Sequence, residues 1–174
     1  MLDHERLLLR PAVPDDALAV AGVHVRSWQV GYRGLLPDAY LTGLRAEDRA
    51  QRYTFGSSDP SQPATWVAVM EDAIRGFATT RPASDPDAAG KGELAGLYVD
   101  PDWWGRGIGQ ALLTAARGRL VELGFHSAIL WVLDGNERAR RFYAADGWIT
   151  DGVHRVQDIW AVNAGEARYS RRLR

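Results

Sequence analysis

The sequence predicts one mixed α/β domain over residues 1–174, and three observations lead there. Short apolar runs bounded by Pro, Gly and Asp alternate with longer stretches whose apolar residues recur at helical spacing. The hydrophobic and charged fractions, 46% and 25%, are those of an ordinary globular chain. A chain of this length buries roughly two-thirds of its unfolded surface, and it shows no internal repeat and no low-complexity segment.

Leu7 to Arg10 reads as a short strand stopped by Pro11 and Pro14. Asp15 or Asp16 caps a helix carried through Trp28, with Leu18, Ala21, Val25 and Trp28 at core-facing spacing. Gly31-Tyr32-Arg33-Gly34 breaks that helix, and Pro37-Asp38 starts a second one running to about Tyr53. Gly56 to Pro63 is a loop, and Trp66–Met70 and Ile74–Thr80 form a hairpin across Glu71-Asp72-Ala73. Arg81 to Gly92 is a mobile connection. Leu94 to Val99 is the next strand, where Gly96 signals a bulge or the close approach of another backbone; Asp100-Pro101-Asp102 ends it.

An amphipathic run from Ala111 to Leu123 follows, with Ile108, Leu112, Ala116, Leu120 and Leu123 as its buried stripe and Gly124 as its stop. Ala128 to Leu133 is an unbroken apolar run, as expected of a strand covered on both faces. Asn136 caps a helix from Glu137 to Ala145 that buries Ala139, Phe142 and part of Tyr143, and Gly147 before apolar Trp148 stops it. Val153–Val162 and Ala167–Leu173 close the chain as an antiparallel pair around Asn163-Ala164-Gly165. The sum is seven strands and four helices.

Composition excludes several functions. A net charge of −1 argues against generic nucleic-acid binding, and Arg168, Arg171, Arg172 and Arg174 read as a solvated terminal strand. The absence of cysteine removes disulfides, thiolate metal sites and a cysteinyl intermediate. No His/Asp/Glu spacing suits a metal, and no nucleophile elbow supports a serine hydrolase. The first residues carry acids and too short an apolar run for a signal peptide, and no run is long enough to cross a membrane, so the expected location is the cytoplasm.

The chain is organised around residues 93–109. Gly105, Gly107 and Gly109 alternate with Arg106 and Ile108 just ahead of a helix. Such glycines let successive backbone N–H groups converge on one concavity, and the helix start adds about half a positive charge, so the loop is a trap for phosphate oxygens. A P-loop needs Gly-Lys-Ser/Thr, whereas Gly109 is followed by Gln110-Ala111. A dinucleotide fingerprint starting at Gly105 or Gly107 would need its third glycine at Gln110 or Leu112. Glycines that merely make a tight turn are the remaining plain alternative.

Trp104-Gly105-Arg106-Gly107-Ile108-Gly109 resembles the acetyl-CoA-binding signature of the GNAT superfamily of N-acyltransferases, usually Gln/Arg-x-x-Gly-x-Gly/Ala. Trp104 departs from it, standing where the family most often has Gln or Arg. Asn136, Ala139, Phe142, Tyr143, Gly147 and Trp148 resemble the family's second element, at the family's distance beyond the first. Together with the element order the resemblance covers nearly the whole chain. It implies a mostly antiparallel mixed sheet of about seven strands, flanked by about four helices and splayed between the fourth and fifth strands.

The resemblance also implies a chemistry: an amine attacks the thioester of acetyl-CoA directly, in a ternary complex. Backbone N–H groups from Gly105 to Gln110, with Ile108 and Gly109 between them and Arg106 as a side-chain cation, would bind the pyrophosphate. A backbone N–H among Leu97, Tyr98 and Val99 would meet the thioester carbonyl. Asn136, read first as a helix cap, and Ala139 would contact the cofactor; Trp104 would cover it or anchor the loop. Tyr143 aligns with a tyrosine that protonates the leaving thiolate, or is a packed helix residue. Glu93 matches a glutamate that serves as base in some members, or is a surface residue opening a strand.

His24, His126 and His154 are further titratable candidates, each also readable as a surface or satisfied histidine. Trp28, Tyr32, Asp38 and Tyr40 on one side, and His154, Asp158 and Trp160 on the other, would build a pocket for an amine acceptor, either small or on a protein; aromatics with acids suit a cation. No metal, nucleic acid or membrane partner is expected, and a homodimer is common in the family. The alternative function is a domain that binds CoA for regulation or partner binding without turnover.

Overall fold

A computed structural model describes residues 6–159 and 162–174. Seven strands form one sheet: β1 (Leu8–Pro11), β2 (Ala64–Met70), β3 (Ala73–Pro82), β4 (Gly92–Val99), β5 (Ser127–Leu133), β6 (Ile149–Ile159) and β7 (Val162–Arg172). They lie in the order β1-β2-β3-β4-β5-β7-β6, and only the β4–β5 pair is parallel. The helices are α1 (Ala17–Gly31), α2 (Asp38–Thr42), α3 (Ala46–Ala50), α4 (Ile108–Glu122) and α5 (Glu137–Ala145). The mixed sheet agrees with the expectation, and the helix count rises to five.

The extra helix comes from the expected run Pro37–Tyr53, which is two short helices. Gly43 closes α2, its N–H bonded to the Ala39 carbonyl at 3.1 Å, because glycine there gains little from continuing a helix. Leu18 is 57% exposed, contrary to its expected core position; Val20, Val23 and His24 take the buried side of α1 beside Ala21, Val25 and Trp28. Asn163, Ala164 and Gly165 lie inside β7, not in a turn, since β6 runs to Ile159 and β7 begins at Val162. In α5 the buried residue is Tyr143, while Ala139 and Phe142 are half-covered against the core.

The two sheet faces are covered differently. On one, α4 lays Ile108, Leu112, Leu113, Ala116 and Leu120 onto Ala78, Leu94, Leu130 and Val132. On the other, α1 covers only the first half, packing Val20 and Val23 on Val67 and Phe77. Beyond β4 helix cover reaches only the end of that face, where Trp28 of α1, Leu41 of α2 and Leu36 cluster with Leu133 and Ala164. The alternation of side chains sends Trp131 and Leu133 there, together with their β7 partners Arg168 and Glu166 and the β6 residue Arg155. The unbroken apolar run of β5 is therefore covered by α4 on one face and, on the other, meets α1 and α2 at Leu133. Over Trp131 the cover is cationic: the Arg155 and Arg168 guanidinium carbons lie 3.8 and 5.8 Å from its ring centre.

Candidate active site

β4 and β5 pair at only two positions, Gly92 with Ala128 and Glu93 with Ile129, and then part. The expected splay is present. A bulge falls at the same place: Thr79 pairs with Gly96 and Thr80 with Leu94, leaving Ala95 without a partner, next to the glycine that signalled it. Past the bulge the Asp100 N–H bonds the Arg75 carbonyl at 2.7 Å. Antiparallel strands alternate the side to which each residue's N–H and C=O point. Tyr98 therefore bonds toward β3, whereas the N–H groups of Leu97 and Val99 face the gap left by β5.

Trp104 closes this gap at its far end. Its indole Nε1 donates to the Val99 carbonyl at 2.8 Å, and the Arg138 guanidinium lies 3.4 Å from its ring centre. The departure from the family signature thus ties the loop to the strand that faces the gap. Loss of one such bond is worth about 1 kcal/mol. Trp104→Phe should raise the KM for acetyl-CoA ~5-fold with kcat little changed, measured by steady-state thiol release; an unchanged KM would remove the anchoring role.

The loop itself turns twice through left-handed backbone, Gly105 at φ +73° and Gly107 at φ +84°, the latter capping α4. Ala111 N–H is the first to find a backbone carbonyl, that of Gly107 at 3.1 Å, so α4 starts at Ile108, the first residue of the expected apolar stripe and ahead of the expected run from Ala111. The N–H groups of Ile108, Gly109 and Gln110 are left as donors at a helix start. Arg106 lies over the ring of Trp103 at 4.4 Å, and Arg75 lies over it at 4.3 Å.

A cleft of about 1030 Å³ joins these elements. Of the expected cofactor residues, Leu97, Tyr98, Val99, Trp104, Gly109, Asn136, Ala139 and Tyr143 line it; Gly105, Arg106 and Gly107 in the loop and Ile108 and Gln110 in the first turn of α4 stand outside its lining. Trp28, Tyr32 and Glu93 also line it. Asp38 does not: it is exposed in the first turn of α2. Tyr40 is likewise outside the lining, with burial pushing its phenol up to about 12. Trp160 lies outside the described residues. Asn136 caps α5, its side chain accepting from the Ala139 N–H at 3.2 Å.

Three phenols share the centre of the cleft. Burial pushes Tyr143 up strongly, and Tyr98 adds to it. Tyr32 is pushed up by burial and by the neighbouring Tyr98, and Tyr98 is raised by burial. All three remain protonated donors across the neutral range. Tyr143 is nine-tenths buried and makes no hydrogen bond from its hydroxyl to the described residues.

Glu93 is sealed, at 2% exposure, with Oε2 accepting from the Arg81 Nε at 2.5 Å. His24 is buried among Trp28, Phe77 and Tyr98, its Nδ1 3.3 Å from the Tyr53 hydroxyl, and burial holds its pKa well below the usual imidazole value. His154 contacts Asp134 at 2.7 Å on an exposed edge, and His126 is exposed. Among the described residues no group of three or more His, Cys, Asp or Glu is arranged to hold a metal. No helix among them is long and apolar enough to cross a membrane.

One residue of the cleft was missed by the sequence reading: Glu166, 12% exposed in its side chain and bonded to the Arg155 Nε at 3.2 Å. The misplaced 163–165 turn hid it. The signal was the alternation Glu166, Arg168, Ser170 against Ala167 and Tyr169, which puts Glu166 on one face of a strand.

Comparison with known proteins places these features among the N-acetyltransferases. The Acetyltransferase (GNAT) family profile matches residues 28–148. The uncharacterized N-acetyltransferase YuaI of Bacillus subtilis (strain 168) is 29% identical over 131 residues, 74% of this chain and 72% of the relative. Aminoglycoside N(6')-acetyltransferase type 1 of Stenotrophomonas maltophilia is 30% identical over 120 residues, 67% of this chain and 69% of the relative. In structure, the PaiA N-acetyltransferase from Thermoplasma acidophilum, solved with coenzyme A, superposes at TM-score 0.70 and 20% identity over 95% of this chain and 98% of its own. YncA from Salmonella typhimurium, solved with its cofactor acetyl-CoA, superposes at TM-score 0.72 and 16% identity over 97% and 95%. The chain belongs to the GNAT family of acetyltransferases.

Proposed function

We propose that this protein moves the acetyl group of acetyl-CoA to a primary amine, on a small molecule or a protein, by direct attack in a ternary complex. The observation that carries this reading is the parting of β4 from β5, which leaves the Leu97 and Val99 N–H groups facing a cleft that also holds Tyr143. Donors aimed at a developing oxyanion are each worth ~10²–10³ in rate. The amides from Gly105 to Gln110 take the pyrophosphate, with Arg106 alongside. The chain supplies no cysteine, so the acetyl group has no thiol on the protein to visit.

In the transfer, the amine nitrogen bonds to the thioester carbon, the C–S bond breaks, and its electron pair goes to sulfur. The nitrogen of an ammonium gives up two protons overall. Tyr143 protonates the thiolate and is restored by one of them, and the other reaches solvent through a carboxylate that lines the cleft. The resemblance points to Glu93 for that carboxylate. Trp28 and Tyr32 supply aromatic walls on the acceptor side. A thiol-release screen with acetyl-CoA against polyamines, aminoglycosides, amino acids and peptide N-termini tests the reading. Release that depends on one of these amines is expected; stoichiometric CoA binding without release across the panel would leave the non-catalytic alternative.

A further inference from the structure

We propose that Glu166, rather than Glu93, is the carboxylate that receives the acceptor ammonium and takes its proton, an inference that rests on the amine-acetylation reading above. The two acids lie on one face of the sheet at different heights in the V made by β4 and β5, near enough for the charge of Glu93 to act on Glu166. Glu93 sits at the closed vertex, in the last paired position with Ile129, and its carboxylate is sealed and engaged by Arg81. Its side chain reaches the same cleft but presents almost no surface to an incoming amine.

Glu166 stands across from Leu133, the last residue of β5, four residues further along the strand than Ile129. At about 3.3 Å per residue this is roughly 13 Å up the V, on the open side where the Leu97 and Val99 amides face the gap. Its Oε1 accepts from Arg155; its other oxygen has no hydrogen-bond partner among the described residues, so it lines the cleft with one lone-pair edge free. The hydroxyls of Tyr32 and Tyr98 both feel its charge.

The groups facing Glu166 are Arg155 from β6, Asp134 from the turn after β5, Glu93 and Tyr98 from β4, and Tyr32 from just beyond α1. Burial raises its pKa above the ordinary carboxylate range, Glu93 and Asp134 add to this, and Arg155 opposes it. A more basic carboxylate is a better proton acceptor. The ammonium has no lone pair to attack with until it gives its first proton to Glu166, which passes it to solvent. Once the nitrogen has bonded to the acyl carbon it becomes strongly acidic, and its second proton restores the phenol of Tyr143 after that group has protonated sulfur.

Glu166 works only as the carboxylate, so the rate should fall as pH drops through its raised pKa. The test compares pH–rate profiles of the wild type, Glu166→Gln, Glu166→Asp and Glu93→Gln, using the amine found by the thiol-release screen. Glu166→Gln should lose ~10²–10³ in kcat and lose the acid limb, with CoA affinity by calorimetry unchanged. Glu93→Gln should lower the rate but keep the limb. With an aromatic amine, which arrives already neutral, the loss in Glu166→Gln should shrink below ~10-fold. Glu166→Asp, should the Gln variant not fold, must retain the limb at a rate reduced ~10-fold. An acid limb surviving in Glu166→Gln, a limb abolished by Glu93→Gln, or a full rate in Glu166→Asp overturns the assignment. Wild-type protein that releases no thiol with any amine overturns the acetyl-transfer reading instead, so the two failures are distinct.

Discussion

Gly107→Val should cost coenzyme A at least ~100-fold in affinity while the domain remains folded. Gly107 caps α4 at φ +84°, two residues after Gly105 at φ +73°. A β-branched residue held in that left-handed region carries about 1–2 kcal/mol of strain. It relieves the strain by rotating back to negative φ, and the rotation swings the N–H groups of Ile108, Gly109 and Gln110 out of their common concavity. The pyrophosphate then loses both the amides and the positive helix end at once. The fold survives because α4 is held further along, by Leu112, Leu113, Ala116 and Leu120, each at most 3% exposed. Calorimetric titration with coenzyme A checks affinity, and circular dichroism checks the fold. An affinity within threefold of wild type would show that the phosphate is held elsewhere.

Tyr143→Phe should lower kcat by ~10²–10³ and leave the Kd for coenzyme A within about threefold. The phenol is held protonated by burial and by Tyr98, so it is a donor at every working pH and contributes no alkaline limb below about pH 10. Removing the hydroxyl breaks no hydrogen bond to the described residues and leaves the ring packed against Phe142 and Trp148. A purely packing role would therefore leave both turnover and stability intact. Burst and steady-state measurements of thiol release decide between the two. An unchanged kcat takes Tyr143 out of the acid role.

The parts of the fold legible in the sequence were those governed by local rules. The bulge beside Gly96, the Asn136 cap and the order of strands around the α4 loop all follow from turn chemistry and periodicity. The failures share a cause as well. Leu18 is apolar at a helical spacing yet faces solvent, because the sheet that α1 covers begins one side chain further round. The β6–β7 hairpin was misregistered because Asn163-Ala164-Gly165 carries strong turn residues whose backbone is nonetheless paired in a long ladder. That slip concealed Glu166. Trp104 was legible as a departure, but its partner, the Val99 carbonyl, becomes visible only when β4 is known to part from β5.

The bare edge of β4 bears on how such a protein can diverge. On the proposed reading, the groups that meet the thioester belong to the main chain at Leu97 and Val99, and those that meet the phosphates belong to the main chain from Gly105 to Gln110. Every amino acid except proline carries that donor. Side chains along the strand can drift without touching the chemistry, provided the strand keeps its path. A likeness of backbones at TM-score 0.70 with only 20% of residues in common shows a shared fold: the path of the chain is kept while most side chains differ.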